Sequence, residues 1–450
     1  MVRVTDMTHG RPIRLILLFS LPLMLGSVFQ QLYTIVDTII IGRGVGMQAL
    51  ASIGAADWIN WLVLWGLQGF TQGFAILAAQ EFGAGAYDRL RRVLAMIVKL
   101  SCWFGIAVTI ISLLLVRPLL TLLHTDPAVF GGAQTYLYVQ FGGSLIIIAY
   151  NMAAAVLRCL GDSRTPLLAI LAASFANIAL DLLFVMGFGW GIFGASFATV
   201  LAQLIAFLLC LRSLRRLPFV QLTKADWKTD PAILLHLCHL GIPTGLQMSM
   251  ITLGGMVLQS VLNGFGVVFV AGYTAANKLY GILESASVAF GYAMTAYMGQ
   301  NRGARNAARI DAGIRAVLAL SAGFTAAIVT AMLLAGKPLL GLFLSTEEAG
   351  AADALAVAYQ YLMVLMAFLF ALFVLQAYRS SLQGLGEMTV PTLSGFAEML
   401  MRMGAALVLP TFIGQSGVFF AEGAAWVCAA ALNLIWYYMR IGKIKRDMLK

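Results

Sequence analysis

Two carboxylates stand where an apolar chain has little reason to carry them. Asp37 lies in Tyr33-Thr34-Ile35-Val36-Asp37-Thr38-Ile39, within a largely apolar run that begins near Ile13, and nothing local neutralises it. A second acid, Asp181, sits in Asn177-Ile178-Ala179-Leu180-Asp181-Leu182-Leu183, four residues after Asn177 and so on the same helical face. An Asp at the centre of a membrane helix costs about 2.5–3.5 kcal/mol on insertion scales. Unpaired acids at such positions point to function, and two that meet would hold a cation. Gln30 and Tyr33 precede Asp37 by about two turns and one turn, and would line the same cleft unless they merely pack.

The elements that position these residues are membrane helices. Of 450 residues 61% are hydrophobic and 11% charged, with a mean hydropathy of +0.90. A soluble domain is about 25% charged. The apolar runs are long enough for spanning helices, which points to an all-α integral membrane protein. Twelve spans are expected, at about 13–41, 57–80, 93–116, 134–157, 166–187, 190–212, 233–262, 267–299, 311–335, 356–378, 389–412 and 418–440. No small-residue cleavage site follows the first run, so it reads as a retained helix and not a signal peptide. The five cysteines are scattered and show neither a disulfide framework nor zinc spacing.

The net charge of +10 is distributed as a topological signal and not as a nucleic-acid surface. Basic residues crowd alternate connections: Arg89, Arg91 and Arg92; Arg158 and Arg164; Arg212 to Lys228; Arg302, Arg305 and Arg309; and Arg379. The intervening loops offer Arg43, Arg117 and Lys337. The positive-inside rule then puts both termini in the cytoplasm, as an even number of spans requires. Positions near Gly46, Asp126 and Thr346 are expected outside, and those near Arg91, Lys224 and Arg305 inside.

The polar stretch from Arg212 to Asp230 divides six spans from six, and short signatures recur in order on either side of it. Ser20-Leu21-Pro22 answers to Gly241-Ile242-Pro243, and Gln80-x-x-Gly83-Ala84 to Gln300-x-x-Gly303-Ala304. Arg117-Pro118-Leu119-Leu120 answers to Lys337-Pro338-Leu339-Leu340, and Leu160-Gly161-x4-Pro166 to Leu385-Gly386-x4-Pro391. The expected organisation is an amino-terminal six-helix lobe over 1–212, a cytoplasmic linker over 213–232 and a carboxy-terminal six-helix lobe over 233–450, related as parallel repeats. Pro22 and Pro243 fall inside helical runs, as helix-bending points or as static packing kinks. The basic segments after Gly83 and Gly303 suit short amphipathic helices on an anionic leaflet.

Leu32-Tyr33-Thr34-Ile35-Val36-Asp37-Thr38, Gln80-x-x-Gly83-Ala84, Leu160-Gly161-Asp162-x-x-x-Pro166, and Asn177-x-x-x-Asp181 followed by Gly191-Ile192-Phe193-Gly194-Ala195 together resemble the multidrug and toxic compound extrusion (MATE) family. The resemblance covers essentially the whole chain. It implies an antiporter that exports amphiphilic or cationic organic compounds in exchange for H+ or Na+. It also implies a cation site made of Asp37, Asn177, Asp181 and Thr199, and polar cleft positions at Tyr136 and Asn151. The seventh span has no acid near Pro243-Thr244-Gly245-Leu246-Gln247, which resembles the DinF-like side of the family and weakens any second cation site.

At 1.5 Å per residue, Asp37 and Asp181 lie roughly 8–9 Å from the outer ends of their helices, with Thr199 and Asn177 roughly 13–15 Å down. One cluster can therefore contain all four, although Asn177 and Thr199 also suit helix packing. Two carboxylates side by side in a poorly solvated site should share one proton or one sodium ion. Carboxylate, amide and hydroxyl oxygens suit a hard cation and no soft metal. In the second lobe Lys278, Glu284, Glu398 and Arg402 balance in sign, and Glu398 and Arg402 are spaced to neutralise each other. No metal is expected beyond Na+ at the four-residue site, no cofactor, and no enzymatic signature appears. His236 and His239 read as a solvated interfacial face. A monomer in the cell's inner membrane is expected, with small organic substrates and the bilayer as its partners. The alternative is a flippase for a lipid-linked precursor, which would need arginines in its cleft to hold pyrophosphate. The first-lobe spans carry none at mid-membrane.

Overall fold

The computed structural model describes residues 4–343 and 350–449; the expected outside position Thr346 falls outside them. In the first half the helices are α1 (Pro12–Gly44), α2 (Met47–Gly83), α3 (Tyr87–Leu122), α4 (Pro127–Gly142), α5 (Ser144–Cys159), α6 (Arg164–Asp181) and α7 (Gly191–Arg215). In the second they are α8 (Pro231–Asn263), α9 (Val267–Gly303), α10 (Ala307–Gly341), α11 (Ala351–Gly384), α12 (Thr389–Ile413) and α13 (Phe420–Leu449). Among the described residues there is no strand. Each span expected from the sequence meets one of these helices, and the layout is the twelve-span, two-lobe one.

Ten of the spans are single runs long and apolar enough to cross a membrane. The fourth span is α4 and α5 together, bent by 50° at Gly143. The ninth helix reaches 37 residues and carries Lys278 and Glu284, and most of it is buried. The helices also overrun the apolar segments that announced them. Asp57, taken as the edge of the second span, lies ten residues inside α2; Arg117 and Lys337, assigned to loops, lie in the last turns of α3 and α10. Hydropathy locates the apolar middle of a span, whereas hydrogen bonding carries the helix on into the polar interface.

Contacts divide the chain into two compact units that do not follow chain order strictly. One gathers Leu21–Gly245 with the segment ending at Asp6, and the other Met7–Ser20 with the chain from Leu246 onward. In the first unit α8 begins by lying on α2. A Cβ on Gly73 would stand 2.5 Å from the Cα of Gly241, and Phe70 and Phe74 fill the space beside Gly245 and Gly241. In the second unit the segment before α1 is clamped by side chains of α9 and α10. The Gln300 Oε1 accepts from Met7 N at 2.8 Å, and Arg309 donates to the carbonyls of Met7 at 2.9 Å and Gly10 at 2.8 Å. The recurring Gln-x-x-Gly signature thus has a structural task in the second repeat.

The repeat also shows in backbone conformation. Gly161 and Gly386, equivalent in the two halves, have φ of 89° and 72°, and Gly85 has 68° where its counterpart Arg305 has 55°. The linker folds as two short 3-10 turns, Pro218–Val220 and Lys224–Trp227. Asp226 accepts from the backbone N–H and hydroxyl of Thr223, both at 2.7 Å, and lies 3.7 Å from Arg91 on α3. Burial alone would raise its carboxyl, but the two hydrogen bonds from Thr223 and the charges of Arg91 and Arg92 hold it below the usual carboxylate range.

Candidate cation site

The first unit gathers its polar side chains from α1, α6 and α7. Asp37 is on α1, Asn177 and Asp181 are on α6, and Thr199 is on α7. Asp37 and Asp181 face each other closely enough for their carboxyl groups to interact directly. Asp181 and Asn177 are almost fully sealed, at 0% and 2% exposure. Among the described residues no Lys or Arg lies within ion-pair distance of either carboxylate. Asp37 Oδ1, both oxygens of Asp181 and both polar atoms of the Asn177 amide are buried with no hydrogen-bond partner. Buried polar atoms are nearly always paired, so five orphans on three neighbouring residues make this a candidate ligand site.

A small cavity of about 20 Å3 is lined by Gln30, Tyr33, Tyr150, Asn177, Thr199 and Gln203 among others; Asn177 stands one turn from Asp181 along α6, but neither Asp37 nor Asp181 lines the cavity itself. That volume accommodates about one water or one bare ion. Thr199 donates its hydroxyl to Ala195 O at 3.2 Å, which leaves the oxygen lone pairs available. The helix carrying Asp181 changes character right after it: Leu182–Gly187 is a π-helical turn, closed by Phe188 N donating to Leu183 O at 2.9 Å. Such turns interrupt the regular ladder and recur at functional sites.

The sequence-based set divides as follows. Asp37 and Asp181 come together, Asn177 and Thr199 share the cavity, and Gln30 and Tyr33 line it too. Tyr136 does not line the cavity, and its hydroxyl accepts from Asn60 Nδ2 at 3.3 Å. Asn151 turns elsewhere, donating to Ile147 O of its own helix at 2.9 Å, and its neighbour Tyr150 faces the cavity. Pro22 and Pro243 lie outside the cavity, within α1 and α8. Sequence reasoning missed Tyr150, Gln203 and Asp57. Gln203 could have been found four residues after Thr199 on one face, and Asp57 by allowing α2 to begin earlier.

The second unit is electrostatically different. Glu398, 3% exposed, accepts from Arg379 Nη2 at 2.5 Å and Arg402 Nη2 at 3.0 Å. Arg402 also pairs with Glu422 at 2.8 Å and donates to Ile251 O at 3.0 Å. The expected Glu398 and Arg402 pair is there, but it belongs to a larger network. Arg379 is buried and not a loop residue, and Glu422 joins from α13.

Two lobes of six spans each, one holding unpaired buried carboxylates beside an ion-sized cavity, define a multi-pass membrane transporter. The family model for MatE matches residues 22–183 and 243–408, and the chain belongs to the MATE family. It is 32% identical to the probable multidrug resistance protein YpnP of Bacillus subtilis (strain 168) over 99% of this chain and 98% of that one. Its fold is similar to that of a MATE protein crystallised in complex with MaL6, with a TM-score of 0.91, 24% identity and coverage of 99% and 100%. It is likewise similar to a MATE protein crystallised in the bent conformation, with a TM-score of 0.89, 24% identity and full coverage of both chains.

Proposed function

We propose that this protein is a secondary antiporter that exports amphiphilic or cationic organic compounds in exchange for H+ or Na+, with Asp37, Asn177, Asp181 and Thr199 as the coupling site. The observation that carries the reading is the facing pair of half-buried Asp37 and fully buried Asp181, with no basic partner among the described residues. A hard cation supplies the missing charge and fills the orphaned oxygens. A proton shared by the two carboxyl groups does the same. Multidrug resistance is the role named for the YpnP relative, and it supplies the substrate class proposed here.

Ion and drug exchange through a shared conformational equilibrium. Pro22 and Pro243 each stand within three residues of the point where their helix leaves one compact unit for the other, at Ser20/Leu21 and Gly245/Leu246. Proline deletes one backbone hydrogen bond in each helix and makes these the flexing points. Gln30 and Tyr33, which line one cavity with Asn177 and Thr199, are the polar contacts proposed for the organic substrate. The work comes from the ion gradient, with about 2.3 kcal/mol per charge for each 100 mV. The chain acts as a monomer in the inner membrane with both termini cytoplasmic, in keeping with its alternating basic connections.

Linkage requires that ion and drug lower each other's affinity by the same factor. Binding of a fluorescent organic cation to the purified protein, titrated against pH and against sodium, should therefore weaken with one ion in the wild type. It should lose that dependence in Asp181→Asn. Drug affinity indifferent to both ions in the wild type refutes the exchange mechanism.

A further inference from the structure

The ends of α9, α11 and α13 enclose a recess of about 360 Å3 that the transport reading does not use. Arg302, Arg305, Arg440 and Lys443 line it, with Glu387 and Asp447 as the acids. Both acids act on Arg302. The side chains of Arg305 and Lys443 make no ion pair or hydrogen bond among the described residues, and Arg440 is engaged by the ring of Trp436, 5.0 Å away. The recess therefore holds more positive charge than its own acids answer.

Comparison of the repeats shows that this charge is placed at a cost. Arg305 has φ of 55°, a left-handed conformation that a residue with a Cβ adopts only under strain, where the first repeat has Gly85 at 68°. Strain kept in one copy and relieved by glycine in the other marks the arginine side chain as the feature retained. The neighbouring turn differs as well. Gly161 of the first repeat is covered by the chain itself, with Thr5 N donating to Gly161 O at 3.1 Å, whereas its counterpart Gly386 lines the open recess.

We propose that this recess binds the phosphate of an anionic lipid headgroup. Guanidinium groups match phosphate oxygens in geometry, and basic recesses between spanning helices hold acidic headgroups. A lipid is favoured over a soluble phosphate by the surface that leads to the recess. Ile435, Met439 and Lys443 fall at i, i+4 and i+8 on α13, and the first two are 56% and 68% exposed. An acyl chain lies along this apolar stripe with its headgroup at Lys443. The basic loops mark this end as cytoplasmic in the proposed orientation.

The test is native mass spectrometry of the full-length protein with phosphatidylglycerol, with phosphatidylcholine as the zwitterionic control and inorganic phosphate as a separate arm. Wild type should retain phosphatidylglycerol over phosphatidylcholine. Arg305→Gly should lose about fivefold in that affinity, and Arg440→Ala/Lys443→Ala about 25-fold, at about fivefold per basic residue. Lys224→Ala, which removes an equal charge elsewhere, should leave it unchanged. Arg305→Gly inserts the residue that the first repeat already uses, so its melting temperature should hold or rise, which separates lost binding from lost folding. Inorganic phosphate bound by the wild type and lost in Arg305→Gly, without preference between the lipids, keeps the phosphate site but overturns its assignment to lipid. Equal retention of phosphatidylglycerol by wild type and both variants, without phosphate binding, overturns the proposal entirely.

Discussion

Asp181→Asn separates a coupling acid from a structural one, because the two roles predict opposite changes in stability. In the wild type both oxygens of Asp181, Oδ1 of Asp37 and the whole amide of Asn177 are buried without protein partners. Each unsatisfied group of this kind costs about 1–3 kcal/mol when no ligand is bound. An amide at position 181 brings an N–H donor to the facing carboxylate of Asp37 and removes one of two like charges. The variant should therefore match the wild type or exceed it by about 1–3 kcal/mol when sodium is absent. The wild type should also gain stability from its coupling ion, by about 2.7 kcal/mol at one hundred times the dissociation constant, and the variant should not. Thermal unfolding of the solubilised protein across sodium concentration and pH measures both quantities, and efflux from sealed vesicles under imposed gradients measures transport. Lost efflux with preserved or higher stability is the expected result. A variant that unfolds several kcal/mol more easily and still exports under a gradient shows that Asp181 supports the helix bundle and does no coupling.

Three further outcomes follow from the same structure. Glu398→Gln should destabilise the protein by about 3–5 kcal/mol, because it removes the counter-charge of buried Arg379 and leaves it only neutral acceptors, the amide oxygen and the Ser394 hydroxyl at 3.5 Å. Arg402 keeps Glu422, so Arg379→Met in the Glu398→Gln background should recover much of the loss in thermal unfolding. The depressed carboxyl of Asp226 makes its contribution to linker stability fully present above its unfolded value of about 3.9, and that contribution is lost as pH falls through the lower folded value. Hydrogen exchange over residues 213–230 should accordingly rise in the wild type only under strongly acidic conditions, and already at neutral pH in Asp226→Asn. Cysteines introduced near Gly46 and Asp126 should react with an impermeant reagent from outside and those near Arg91, Lys224 and Arg305 should not; outside labelling at Lys224 overturns the proposed orientation.

The fold was legible because its signals are long and redundant. Twelve apolar runs, alternating basic connections and four ordered signatures all say the same thing, and each tolerates an error of several residues. The polar details rest on single residues, where that tolerance disappears. Starting α2 at residue 57 and not at Met47 hid Asp57, and placing Arg379 in a loop split a buried network whose partner lies 19 positions along the chain. The break at Gly143 and the π-helical turn after Asp181 leave no periodic mark, since each displaces only a turn or two of an otherwise helical pattern. Depth along a helix was predictable, and it brought Asn177 and Thr199 to one cavity. Azimuth was less so, which is why Tyr150 and not Asn151 faces it.

The two repeats use one scaffold to different electrostatic ends, and this contrast supports the proposed coupling site at Asp37 and Asp181. In the second unit the charges of Glu398 and Arg402 are answered within the protein, through Arg379 and Glu422, although the Nε of Arg379 and of Arg402 is left without a hydrogen-bond partner. In the first unit Asp37 and Asp181 face each other with orphaned oxygens and no cation of the protein's own. Under the proposed function, the balance between cation-bound and cation-free forms of this pair follows the concentration of the cation. A network that already holds its counter-charge has no such dependence on the medium. Under the proposed function, the unit with the unanswered acids is the one whose state depends on the ion.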